Sequence, residues 1–429
     1  MSPQPLTPSG TPPVGGPIRV MIVDDSVFVR GIISSWLDGD KSFEVVATHS
    51  NGKRAADDVV RTAPDAIILD LEMPEMDGLT ALPLILERKP NAVVLVASAL
   101  TRRGAEISMK ALGLGAADYL AKPNADRGSI AAEEFRSELL GKLRGLVDRA
   151  RRRGASVASV AAAPPPRAMT APAPAPAPAA APASPAPAPR APASPAALAS
   201  PPAPALARPA LSTATPVVGV GAPPKTVRKR PYSMSPVEII AVGSSTGGPQ
   251  ALTRIFSDFG AAIANVPVVI AQHMPPTFTA ILAEHVGRAA ARTAAEGVDG
   301  EVLKPGRIYI APGGKHMLVA KSGADTVIRL SDGPAVNFCK PAVDPLFDSV
   351  AAIYGSHVLA IVLTGMGSDG AKGAGVIADA GGSVIVQDEE SSVVWGMPGA
   401  TYAAGNASEL ISVNNIGAKV TRLLMGGRA

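Results

Sequence analysis

The sequence has 429 residues, enough for two or three domains that each bury a core. Aromatic residues make up 3 %, which argues against stacking surfaces for single-stranded nucleic acid, and the one cysteine, Cys339, excludes an internal disulfide and a cysteine-rich zinc site. The formal charge of +4 sits in one stretch: residues 149 to 237 hold eleven Lys and Arg with no Asp or Glu, and with those set aside the remainder carries −7, so the folded parts lack a nucleic-acid footprint.

Residues 1–17 are proline-rich, lack the basic and apolar regions of a signal peptide, and are expected to form a disordered tail. Apolar, strand-like runs then alternate with helix-period segments. IRVMIVDD, FEVVATH, DAIILD, AVVLVAS and ADYLAK are the expected strands; FVRGIISSWL, KRAADDVVRT, GLTALPLILERK, RRGAEISMKALGLG and EEFRSELLGKLRGLVDRA are the expected helices. Continuous apolar strands alternating with helices predict a doubly wound parallel sheet, covered on both faces.

Ligands of such sheets bind at the carboxyl ends of the strands. Asp24 and Asp25 end the first strand, Asp70 the third, Ser98 the fourth and Lys122 the fifth. Three carboxylates converging on one small volume repel each other unless a hard divalent cation joins them, and oxygen ligands suit Mg²⁺. A carboxylate beside such an ion is a nucleophile able to accept a phosphoryl group. Singly, each Asp also fits a solvated loop. Together, VDDS, LDLEMPEMDG, SALT and AKP in this order resemble a response-regulator receiver domain with a flavodoxin-like fold, over residues 18–149. The resemblance implies that Asp70 is the phosphoacceptor, and that Asp25, Asp70 and the Glu72 carbonyl bind Mg²⁺ with Asp24 as an outer partner. Ser98 and Lys122 become the switch hydroxyl and the phosphate-contacting amine.

Residues 150–235 are nearly pure Ala, Pro and Ser in their middle and read as an extended tether. The uncharged span 168–189 is long enough for a membrane helix, but proline at almost every second position removes the amide donors that lipid would require. The alternating pattern resumes over 236–427, with VEIIAVG, VPVVIAQ, RIYIAP, VLAIVLTG and SVIVQ as strands and HMLVA and TVIRL as an inserted hairpin. A second parallel α/β domain, Rossmann-like, is expected.

Gly243-Ser244-Ser245-Thr246-Gly247 follows the first of these strands and fits the G-x-S-x-G nucleophile elbow, though the same loop also suits a phosphate cradle or a plain tight turn. A serine nucleophile needs an oriented imidazole. His273 follows the strand VPVVIAQ; His316 also borders a strand. Asp369 and Asp388 both lie beyond strand ends as candidate orienting carboxylates. The order Ser, His, Asp differs from that of α/β-hydrolases.

GSSTGG, AQHMPPTFT, YIAPGGKHM, DGPAVN, PAVDPLFDS, LTGMGSDGAKG and VVWGMPGA, in succession, resemble the catalytic domain of the chemotaxis protein-glutamate methylesterase/glutamine deamidase family. The resemblance implies Ser245 as nucleophile, His273 as general base and acid, Asp369 as orienting carboxylate, and the amides of Thr246 and Met366 as oxyanion donors. It further implies a cytoplasmic enzyme acting on methyl-accepting chemoreceptors, phosphorylated by the chemotaxis histidine kinase. No metal for the ester chemistry, no nucleic-acid partner and no membrane insertion are expected. Phe338, Cys339 and Lys340 lie within a well-matched stretch and receive no role.

Overall fold

The computed structural model describes residues 16–122, 128–161 and 229–427, with side chains described outside 128–131 and 153–161. Most of the expected tail and most of the expected tether therefore lie outside the described residues.

Strands β1 (Ile18–Val23), β2 (Phe43–His49), β3 (Ala66–Asp70), β4 (Val93–Ala99) and β5 (Asp118–Lys122) alternate with helices α1 (Val27–Asp38), α2 (Gly52–Thr62), α3 (Gly78–Arg88), α4 (Arg102–Gly113) and α5 (Gly128–Ala161). The strands form one parallel sheet in the order β2-β1-β3-β4-β5. Helix starts follow local chemistry: the side chains of Ser26, Asn51, Asp77 and Thr101 each accept a bond from an amide of the first turn of α1 to α4. Strand β3 is wholly buried, as its unbroken AIILD run requires. Helix α5 runs beyond residue 149, through an Arg- and Ala-rich stretch of high helix propensity that precedes Pro164.

The second half contains β6 (Ile239–Ser244), α6 (Gly248–Phe259), β7 (Val268–Gln272), α7 (Phe278–Ala290), β8 (Ala294–Glu296), β9 (Ile308–Ile310) and the antiparallel hairpin β10 (His316–Ser322) and β11 (Asp325–Ser331). It continues through α8 (Val343–Tyr354), β12 (Val358–Val362), α9 (Ala371–Asp379), β13 (Ser383–Gln387), α10 (Met397–Ala403), β14 (Glu409–Ile411) and α11 (Val413–Leu424). Seven strands make a parallel sheet in the order β14-β13-β12-β6-β7-β9-β8. Five were expected; β8 and β14 are three-residue edge strands, too short to show a period. Residues just before 236 already pack on this sheet. The Arg230 amide donates to the Ala407 carbonyl (2.8 Å), and its guanidinium pairs with Asp379 (2.8 Å).

The two α/β halves share one apolar cluster that includes Met109 of α4 and Tyr119 of β5 from the first and Phe278, Ile281 and Leu282 of α7 from the second. Tyr119 stacks on Phe278 with ring centroids 5.0 Å apart and planes 16° from parallel. Arg102 pairs with Glu284 (2.6 Å), and Gln250 Nε2 donates to the Ala116 carbonyl (3.2 Å). Among the described residues no helix is long and apolar enough to cross a membrane.

Candidate active site and phosphorylation site

Ser245 stands where β6 gives way to α6. Gly247 adopts φ 74°, and a Cβ there would lie 2.4 Å from the Val393 side chain, so only glycine allows this turn. The backbone is tied on both sides. The Ser245 amide donates to the Thr364 carbonyl (3.0 Å) beyond β12, and the His273 amide donates to the Ser244 carbonyl (3.1 Å). Gln272 adds a brace that the sequence did not reveal: its Nε2 donates to the carbonyls of Ser245 (2.9 Å) and His273 (3.2 Å), while its Oε1 accepts from the Ser244 hydroxyl (2.6 Å). The ends of β6 and β7 are thus locked side by side, which brings His273 next to the serine loop.

His273 Nε2 lies 2.7 Å from Asp369 Oδ2, with the two side chains only 10 % and 2 % exposed. Asp369 also accepts from the amides of Val343 (2.6 Å) and Asp344 (3.1 Å) at the start of α8, and from Asn337 Nδ2 (3.0 Å). Burial opposes its ionisation, but the His273 bond and charge and these amides outweigh it and hold the carboxyl well below the usual range. Burial likewise opposes charge on His273, yet the hydrogen bonds to Asp369 and then to Cys339 push it up to about 9. Cys339 Sγ is 3.2 Å from His273 Nδ1. Both ring nitrogens are therefore engaged, and among the described residues no hydrogen bond joins the Ser245 hydroxyl to His273.

The competing candidates fall elsewhere. His316 is fixed between the Pro334 carbonyl (3.0 Å) and the Ala342 amide (3.2 Å). Asp388 accepts from the Ser391 amide (2.9 Å) and hydroxyl (2.6 Å) within its own turn. The amides of Thr246 and Met366 donate to no acceptor among the described residues, and the buried Thr246 hydroxyl also lacks a partner there. Uncommitted donors beside a serine suit an oxyanion. The sequence also did not reveal Asn337, which bridges Asp369 to Asp344 (3.1 Å).

In the first domain, ligand atoms of Asp24, Asp25 and Asp70 all lie within 4.8 Å of one another at the carboxyl ends of β1 and β3. Lys122 Nζ reaches Asp24 (2.7 Å) and Asp70 (2.9 Å). Burial raises the Asp70 carboxyl to about 6 despite Lys122, so the site favours additional positive charge. An oxygen-donor trio of this kind fits a hard divalent ion. The Glu72 amide lies 3.4 Å from Asp70 Oδ1, and its side chain faces Arg103 at 3.5 Å. The Ser98 hydroxyl is engaged by its own strand–helix turn: it donates to the Gly104 carbonyl (3.1 Å) and accepts from Ser108 (2.9 Å).

The family model "CheB methylesterase" matches residues 240–420, and "Response regulator receiver domain" matches 20–132. A protein-glutamate methylesterase/protein-glutamine glutaminase of group 2 operon from Bradyrhizobium diazoefficiens is 52 % identical over 422 residues, covering 98 % of both chains. A protein-glutamate methylesterase/protein-glutamine glutaminase from Rhodopseudomonas palustris is 48 % identical, again covering 98 % of both. The solved catalytic domain of the Thermotoga maritima CheB methylesterase is 39 % identical, with a TM-score of 0.43, and covers 44 % of this chain and all of that one. With half the residues shared along almost the entire length of such relatives, and with a serine elbow, an imidazole–carboxylate pair and a receiver carboxylate cluster in one chain, this protein belongs to the family of receiver-linked protein-glutamate methylesterases/protein-glutamine glutaminases.

Proposed function

We propose that the protein hydrolyses glutamyl methyl esters on chemoreceptors, releasing methanol, and converts receptor glutamines to glutamate, as part of adaptation in chemotaxis-type signalling. The observation that carries this reading is the buried His273–Asp369 pair beside the Ser245 elbow. Ser245 attacks the ester carbonyl. With Nε2 held by Asp369, His273 takes the hydroxyl proton on Nδ1 and returns one to the departing methanol; water then releases the acyl group by the same route. The Thr246 and Met366 amides receive the developing oxyanion, each such donor contributing about 10²–10³ in rate in serine hydrolases. Deamidation follows the same steps with ammonia leaving. Ser245→Ala is expected to abolish methanol release from a methylated receptor while leaving the thermal unfolding curve intact; undiminished turnover would remove Ser245 from the mechanism.

Control is assigned to Asp70. Asp24, Asp25 and Asp70, with the Glu72 carbonyl, would hold Mg²⁺, which when bound offsets the charge of the arriving phosphoryl group. Lys122 pairs with the phosphate, and Ser98 turns from the Gly104 carbonyl to meet it. The donor is a histidine kinase, the substrates are receptor signalling helices, and the setting is the cytoplasm. In the unphosphorylated chain the first domain covers the rim of the active site. Support comes from α5, where a Cβ on Gly141 would lie 2.9 Å from the Met366 sulfur, and from Val393 and Val394, which pack against the first domain's core. A DNA-binding reading of the basic run ending at Arg230 is disfavoured, since that guanidinium is engaged by Asp379 and the Gly405 carbonyl.

A further inference from the structure

The thiol at His273 has no place in the chemistry above, yet the fold holds it there firmly. Val336 and Cys339 exchange two backbone hydrogen bonds (3.1 and 2.9 Å) around Asn337 and Phe338, which adopt φ 53° and 62°. Two consecutive non-glycine residues in the left-handed region are costly, and such backbone persists where neighbouring contacts enforce it. Here Asn337 enforces it by donating to both Asp344 and Asp369, while Phe338 projects fully into solvent. The turn is built on the carboxylate that orients the base, and its next residue delivers Sγ to the other side of the same ring.

The proton count on that ring makes the contact consequential. Asp369 is ionised and accepts Nε2–H, so neutral His273 carries its lone pair on Nδ1. The group at Nδ1 is Cys339 Sγ, which accepts Nδ1–H from the protonated ring and so favours that form. Ser245 needs the Nδ1 lone pair to lose its proton. We propose that Cys339 is a positioning residue for the base: in the resting chain its thiol caps Nδ1 of His273, and the Ser245 hydroxyl must displace it before attack begins. This inference rests on the serine reading given above and adds a step to it. The ionisable side chains bonded to His273 among the described residues are Asp369 and Cys339, with Asp344 behind Asp369 across Asn337.

The test compares the full-length chain with Cys339→Ala, Cys339→Ser and Ser245→Ala, measuring methanol release from a methylated receptor fragment as kcat/KM against pH. Removing the cap is expected to raise kcat/KM near neutral pH about 2- to 10-fold, the worth of one ordinary hydrogen bond. The acid limb of the profile should also move to lower pH in Cys339→Ala, because the thiol contact helps hold His273 protonated. A purely structural thiol would not shift that limb. Cys339→Ser keeps an acceptor facing Nδ1 and should return the rate toward that of the parent chain. An unchanged or slower Cys339→Ala enzyme with an unshifted limb overturns the cap while leaving Ser245 in place, provided Ser245→Ala is inactive. Methanol release retained by Ser245→Ala but lost in Cys339→Ala would make the thiol the nucleophile, and both readings would fall.

Discussion

Asp369 is the side chain on which the active site turns. It receives four hydrogen bonds, from His273, Asn337 and two amides at the start of α8, so its charge is fixed in place before any substrate arrives. Asp369→Asn is expected to lower kcat for methanol release by about 10²–10⁴, since the amide neither orients nor stabilises the imidazolium. The base, pushed up to about 9 in the parent chain, should then titrate at lower pH, and the acid limb of the residual rate should follow. In the first domain Asp70→Asn removes the carboxylate assigned above as phosphoacceptor. It should leave basal turnover in place and abolish its stimulation by a small-molecule phosphodonor, as read by methanol release. Strand ends pointed to Ser245, His273 and Asp369 but equally to His316 and Asp388; the family resemblance made the choice among them, and the fold brings His273 and Asp369 into contact while His316 and Asp388 bond elsewhere. Gln272, Asn337 and Cys339 were not marked out in this way. Gln272 looks like the last residue of a strand, and the other two sit in an aperiodic loop whose importance arises only when it folds back on Asp369.

At the scale of elements, the strands could be read because their apolar runs alternate with helix-period segments. The short edge strands β8 and β14 gave no such signal, since three residues such as AAE or ELI complete a sheet through backbone pairing alone. The turn between Val336 and Cys339 is a third kind of element, held by side-chain bonds rather than by propensity. Asn337→Ala should destabilise the catalytic domain by about 1–3 kcal/mol in urea unfolding, through loss of two part-buried bonds to carboxylates and a poorer fit to positive φ. Asn337→Gly, which tolerates the backbone but lacks the amide, should recover the conformational part only. Equal stability of the two variants would show that the hydrogen bonds alone set the turn.

For the whole molecule, the contact between the domains is mixed. The Tyr119–Phe278 stack and its apolar surroundings supply burial, while Arg102–Glu284 is an exposed pair that contributes little to affinity but sets orientation. Arg102→Glu places like charges at that point and should raise basal methanol release roughly two- to fivefold without a phosphodonor. A basal rate equal to that of the parent chain would show that the apolar contact alone governs docking. The division into two α/β domains follows from composition and strand pattern. The docking face does not, because Tyr119 and Phe278 look like any other core residues until the two surfaces meet.

Met366 belongs to both parts of this arrangement. Its main-chain amide is one of the two donors assigned to the oxyanion under the proposed mechanism, and its thioether sulfur lies against Gly141 of α5 in the opposite domain. A residue shared in this way ties the intrinsic rate to the movement of the cover. Activation by phosphate should therefore alter turnover at saturating receptor as well as receptor access, so that opening works less like lifting a lid than like releasing a clamp on the catalytic loop itself.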